Sequence, residues 1–315
     1  MVRKISVDVG SGFTQFTDGK KEGFFPSVVC PAPEVLGFGA DQAVLITVDG
    51  ARYLVGDDAK AYGDPDHRAN TLHDDWAGST GWKVLLFAAL YMAGVQDGDN
   101  VQLITGLPQA LFATKKEDLM RILSGEITFS IGSSSCSLTI DPIIIPQAAG
   151  AVFYQAAINE SILREAVGVI DVGTYTTGFS VIEDGRFISK RSNGVTIGVS
   201  QLAMAIKDYL AKEYGHHVDN AKIPQILMDK AVRHRGNCID LSEVIGRLAL
   251  LVARPLLDKI KKTWEGGNDL LIFIAGGGAP YYCEAIKTEL PHAAIMPDSF
   301  FAVVRGMHTY LIAKG

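Results

Sequence analysis

A chain of 315 residues, 48% hydrophobic and 20% charged, has the balance of a folded protein and the length for two cores, which excludes intrinsic disorder. Its 29 Lys and Arg stand against 35 Asp and Glu, a net charge of −6 with no basic block, so extensive direct contact with a nucleic-acid backbone is excluded. Cys30, Cys136, Cys238 and Cys283 lie far apart with no Cys-x-x-Cys pair, which argues against zinc or dithiol chemistry and for buried thiols in a reducing cytosol. Arg3 and Lys4 lead into a strand pattern and not a signal core, and apolar runs such as "VLLFAALYMAGV" are too short to span a bilayer. The expectation is a cytoplasmic protein with no membrane partner.

Residues 4–30 alternate or run apolar and are broken at "GSG" and "TDGKKEG", predicting a meander of hairpin-linked strands. "WKVLLFAALYMA" turns helical, and "VQLITGLP" is a buried strand closed by Gly106 and Pro108. Pro108 fits the first turn of the next helix, whose Leu111, Leu119, Ile122 and Leu123 line one side and which Gly125 stops. A hairpin, a buried strand and a helix follow through "TFSIGSSSCSLTI" and "PIIIPQAAGAVFYQAAI". At Val169 the order restarts: strand, acidic small-residue turn, strand, "EDG" turn, strand, helices. Helices are expected over 197–214 and 241–264, the second kinked or split at Pro255, and "DLLIFIAGGGAPYYCEAI" is a strand entering three glycines and a helix. The last expected helix, 298–315, takes Asp298 as its N-cap. A duplicated α/β architecture follows, with domain I over 1–165 and domain II over 166–297.

The two restarts share their chemistry. "VDVGSGFT" and "IDVGTYTT" each deliver one acid, Asp8 or Asp171, into a turn of small residues. Such a turn lets backbone N–H groups approach an anion, and the acid is compatible with phosphate only through a divalent cation and its waters. Either turn alone is also a plain hairpin turn; the repetition favours phosphate. Gly276, Gly277 and Gly278 suit either a purine ribose or a close helix–strand crossing, and match neither a Rossmann fingerprint nor a P-loop. His73, Asp74 and Asp75, and the pair His216 and His217, read as solvent-facing groups without a full ligand set.

In this order, "DVGSGFT", "PQAAGAVFY", "IDVGTYTT", "FIAGGGA" and "DSFFAVVRGM" resemble the two phosphate loops, the two connectors and the adenosine motif of the actin-like ATPases. Within that superfamily the chain resembles the ParM/StbA plasmid-segregation branch and the archaeal actin-like proteins. The resemblance implies a duplicated, ribonuclease H-like two-domain α/β fold with nucleotide in the inter-domain cleft and helix 298–315 packing back on domain I. It implies ATP (GTP possible) with Mg²⁺ held through water by Asp8 and Asp171. Gly10, Ser11, Gly12, Phe13 and Gln15 would line one side of the nucleotide, with Gly173, Thr174, Tyr175 and Thr176 around the γ-phosphate and Gly276–Gly278 at the adenosine. Gln147 would orient the attacking water, with Asp8 and Asp171 assisting hydrolysis; its plainer reading is an amide opening a helix after Pro146. Two departures stand out: Gln15 where related loops often carry Lys, and Gly178 where relatives commonly carry an acid. The implied function is an ATPase forming nucleotide-dependent filaments with copies of itself, for plasmid or DNA segregation through a DNA-binding adaptor or as a prokaryotic cytoskeleton. A small-molecule phosphotransferase and a non-hydrolysing nucleotide-regulated scaffold are the alternatives.

Overall fold

The structure is a computed structural model in which residues 2–35, 43–73 and 75–314 are described; Asp74 lies outside them. The chain divides into two units, Met1–Ile162 with Phe301–Gly315, and Leu163–Phe300. The first comprises β1 (Val2–Val9), β2 (Phe13–Thr17), β3 (Glu22–Pro26), β4 (Val29–Pro31), β5 (Leu45–Val48), β6 (Ala51–Val55), α1 (Gly56–Tyr62), α2 (Thr80–Met92), β7 (Asn100–Leu107), α3 (Gln109–Leu123), β8 (Gly125–Ile131), β9 (Ser134–Pro146) and α4 (Gln147–Ile158). The second comprises β10 (Ala166–Val172), β11 (Thr177–Glu183), β12 (Arg186–Val195), α5 (Val199–Tyr214), α6 (Ile223–Asp229), β13 (Ala231–His234), β14 (Asn237–Asp240), α7 (Ser242–Trp264), β15 (Leu271–Ala275), α8 (Ala279–Lys287) and β16 (Ala294–Ile295). Helix α9 (Ala302–Lys314) belongs to the first unit.

The sheet of the first unit runs β3-β2-β1-β7-β9-β8-β5-β6-β4, and that of the second β12-β11-β10-β15-β16. Their first five strands correspond one for one. In each, three consecutive strands form an antiparallel meander, and the first of the three is flanked on its other side by two parallel strands. A parallel neighbour requires a crossover, which is why helices separate β1 from β7 and β10 from β15. The sequence repeat is therefore a repeat of topology, and the duplicated two-unit α/β fold stands.

Strand β1 shows how the layers form. Ile5, Val7 and Val9 enter a core with Trp82, Leu85 and Leu86 of α2. The alternate residues face α9: Ser6 Oγ bonds His308 Nδ1 at 3.2 Å and Lys4 Nζ donates to the Leu311 carbonyl at 3.3 Å. Helices α4 and α9 meet backbone to backbone, because a Cβ on Gly306 would overlap the Gly150 carbonyl and one on Gly150 would lie 2.5 Å from the Val303 carbonyl. The core of the second unit gathers Phe179, Leu202, Leu257, Trp264 and Tyr282 from its sheet and helices.

Several local expectations shift. Pro108 is the N-cap of α3, one position ahead of its first turn; Leu119 and Leu123 are buried but Ile122 is 43% exposed. Helix α7 is continuous through Pro255, whose missing N–H frees the carbonyl of Leu251, a residue on the exposed side. Asp298 does not cap the last helix, which starts four residues later, and its backbone sits at φ 45° in a preceding turn. Cys238 on β14 is exposed, while the other three thiols are buried.

Candidate functional site

In the first unit, β1 carries Asp8 to the sheet's end, directly opposite Gln15 on β2. The intervening turn closes with Gly10 N–H donating to the Phe13 carbonyl at 3.1 Å. A Cβ on Gly10 would lie 2.8 Å from that carbonyl oxygen, so only glycine keeps this turn. The turn's own carbonyls are already served. Ser27 Oγ donates to Gly10 O at 2.6 Å, Thr71 Oγ1 to Ser11 O at 2.9 Å, and Ser27 N–H to Gly12 O at 2.9 Å. The backbone polarity left at the tip is that of the Ser11 and Gly12 N–H groups, which no bond engages among the described residues. A turn with satisfied acceptors and open donors suits an anion.

The second unit repeats this construction. Asp171 on β10 lies opposite Gly178 on β11, and Gly173 N–H donates to the Thr176 carbonyl at 2.9 Å. Here the start of α5 serves the carbonyls, Val199 N–H donating to Gly173 O at 3.1 Å and Ser200 N–H to Thr174 O at 2.8 Å. Gly198 allows that docking, since its Cβ would stand 2.6 Å from Gly173 O. Its carbonyl is fixed in turn by Tyr282 Oη at 2.8 Å. Thr174 and Tyr175 are half-buried and Thr176 is exposed at the tip.

The glycine turn after β15 packs against the same place. Gly276 has φ 87°, and a Cβ there would collide with Asp171 Oδ1 and the Val172 carbonyl. Gly276 N–H donates to Ser299 O and Gly278 N–H to Val172 O, both at 2.8 Å. Close packing thus accounts for Gly276 and Gly278, and it sets the glycine turn beside the acid-tipped turn of its own unit.

Two side chains set the chemistry of the first turn. Gln147 opens α4 after Pro146 and donates Nε2 to Asp8 Oδ1 at 2.7 Å. Gly106 on β7 makes the room, because a Cβ would come within 2.6 Å of Gln147 Cγ. Asp8 is 9% exposed, and burial pushes its carboxyl up to about 6 against the Gln147 hydrogen bond, which pulls the other way. A desolvated carboxylate with this one donor is short of positive charge, which fits a hydrated divalent cation. Among the described residues no group of three or more His, Cys, Asp or Glu could cage a metal directly. Asp8 and Asp171 fall in different units, and each is placed by its own turn.

Sequence reasoning missed the residues behind the turns: Ser27, Thr71, Gly198 and Tyr282. Their only signal is tertiary: Ser27 and Thr71 reach the first turn from 17 and 60 residues away, and Tyr282 holds Gly198 from 84 residues away. His73 Nδ1 accepts from Asp75 N–H and Asp75 pairs with Lys115 at 2.6 Å, whereas His216, read as solvent-facing, is partly buried and bonds His234 Nδ1 at 2.8 Å.

Residues 6–150 match the family described as actin-like proteins, N-terminal domain, and residues 169–288 match the archaeal actin homologue MreB-like, C-terminal. The chain belongs to the actin-like superfamily. Among solved structures, the archaeal actin homologue Ta0583 superposes with a TM-score of 0.82 at 21% identity, over 98% of this chain and 99% of that one. A ParM from Clostridium botulinum, described as a 15-stranded filament, gives 0.76 at 21% identity over 98% and 99%. A Bacillus thuringiensis ParM with AMPPNP gives 0.72 at 16% identity over 98% of each chain. No curated protein matches. These likenesses establish the actin-like fold of this chain, and no helix among the described residues is long and apolar enough to cross a membrane.

Proposed function

We propose that this actin-like chain binds and hydrolyses ATP with Mg²⁺ and assembles with copies of itself into nucleotide-dependent filaments, serving plasmid or DNA segregation through an adaptor or a cytoskeletal role. The observation that carries the reading is the doubled turn: two hairpins of equal register, each with an acid at its base, a closed Gly-to-i+3 bond, and carbonyls satisfied from elsewhere in its unit. In this reading the Ser11 and Gly12 amides take one phosphate and the Thr174 and Tyr175 amides take another, as donors without side-chain obstruction. Asp8 and Asp171 hold the cation's waters, and the cation supplies charge neutralisation of the phosphate oxygens.

Gln147 is placed to position water. Its Nε2 is committed to Asp8, which leaves the amide oxygen to accept a hydrogen bond from a nucleophilic water and orient it without acting as a base. Support comes also from the solved actin-like structures, of which Ta0583 is described in complex with ADP and a ParM with AMPPNP. The deciding experiment follows light scattering and phosphate release on mixing the protein with ATP and Mg²⁺. Concurrent rise of both is expected; a protein that stays monomeric over a wide concentration range would remove the filament reading.

One observation favours a second reading, the scaffold that binds nucleotide and scarcely turns it over. The positions opposite both acids, Gln15 and Gly178, carry neither a cation nor an acid. Nucleotide binding without phosphate release is its signature.

A further inference from the structure

Gln15 is 8% exposed, and its Oε1 is fully buried with no hydrogen-bond partner among the described residues. Leaving a buried acceptor unpaired is unfavourable, so the position asks for a donor or a cation. Gln15 sits directly opposite Asp8, which places the two side chains on one face of the sheet. The same face carries Phe24, opposite Gln15 on β3, and Phe13, whose rings meet edge to face at 5.7 Å. The cationic side chains of that face are committed elsewhere: Lys4 to the Leu311 carbonyl, and Arg305 to Glu22 at 2.7 Å. A buried carboxylate and a buried amide oxygen thus lie side by side against aromatic surface, at the base of a turn built for an anion.

We propose that Asp8 and the Gln15 amide oxygen hold a monovalent cation of potassium size beside the first turn, and that nucleotide binding depends on it. The inference rests on the nucleotide reading above. A neutral amide oxygen, a carboxylate and a phosphate oxygen are hard ligands of low total charge. They suit an ion that sheds its water easily, whereas Mg²⁺ keeps its waters and follows the phosphates. The ion supplies the positive charge that no side chain among the described residues delivers here.

The test measures binding of a fluorescent ADP analogue to the full chain, with Mg²⁺ present, in potassium, sodium and N-methylglucamine chloride at equal ionic strength. Thermal midpoints of the complexes are recorded in parallel. Potassium should tighten binding at least about tenfold over N-methylglucamine, which is too large to enter. Gln15→Lys, carrying its own ammonium, should bind equally in both salts, and Gln15→Leu should bind weakly in both. Equal affinity of the wild-type chain in both salts overturns the proposal, as does a Gln15→Leu variant that keeps the potassium dependence, which would put the ion elsewhere. A water filling the site predicts the first of these results. Should the Lys variant misfold by circular dichroism, the wild-type and Leu measurements decide alone. Loss of nucleotide binding in every salt sinks the nucleotide reading itself, a result distinct from salt-independent binding.

Discussion

Asp8 binds its proton at about 6 in the folded chain against an ordinary 3.8. Between those values the folded state holds a proton that the unfolded state releases, so this group favours folding less as pH rises through about 6. Above that, the charged carboxylate costs the nucleotide-free protein roughly 3 kcal/mol. Asp8→Asn, which keeps an acceptor for Gln147, should therefore stabilise the free protein at pH 8 by roughly 1–3 kcal/mol, while metal-dependent nucleotide binding is lost. Denaturation of both proteins across pH 5 to 8 checks this: the advantage of the variant should grow through about pH 6 and then level off. A constant difference would show that Asp8 titrates normally. At Gly276 the expectation is the reverse, because Gly276→Ala adds a Cβ at φ 87° where Asp171 and the Val172 carbonyl already stand. It should lose about 2 kcal/mol or more in chemical denaturation and misplace Asp171.

The hairpin elements were the most readable part of the sequence, because acid, glycine and β-branched residues fall at fixed offsets and the offset recurs at Asp171. What two separate departures hid was their equivalence: Gln15 and Gly178 occupy the same register position in the two hairpins. Strand pairing adds that each lies directly opposite its acid. Helix limits moved for local reasons, as with Asp298, where residues 297–301 form turns before α9 begins. The purpose of Gly150 and Gly306 was likewise invisible, since each glycine is explained by the other helix. Their contact holds α4, and α4 begins with Gln147. Gly306→Val should therefore lower stability by roughly 2 kcal/mol or more and loosen the Gln147 bond to Asp8. A fall in thermal midpoint together with a further rise of the Asp8 pKa would register both effects, because the Gln147 bond is what pulls that pKa down; an unchanged midpoint would mean that the helices separate freely.

For the whole molecule, each unit has its own core and its own acid-tipped turn, so damage at one turn should leave the other unit's fold intact. Asp171→Ala is expected to keep the circular dichroism and most of the stability of the native protein while nucleotide turnover disappears. Unchanged turnover would remove Asp171 from the chemistry. The duplication itself was legible because strand order is written in element order; sheet extension by β8, β5, β6 and β4 was not, since nothing local distinguishes these strands from a separate sheet.

Because Phe301 and the residues after it complete the unit that Met1 begins, that unit is split in synthesis by all of Leu163–Phe300. Once α4 is made, Ser6 on the sheet and Gly150 on α4 have no cover until α9 follows. The later-made unit, contiguous in sequence, has everything it needs to fold first. Released chains that end at residue 300 should accordingly shield Leu163–Phe300 from protease while residues 1–162 are still cut.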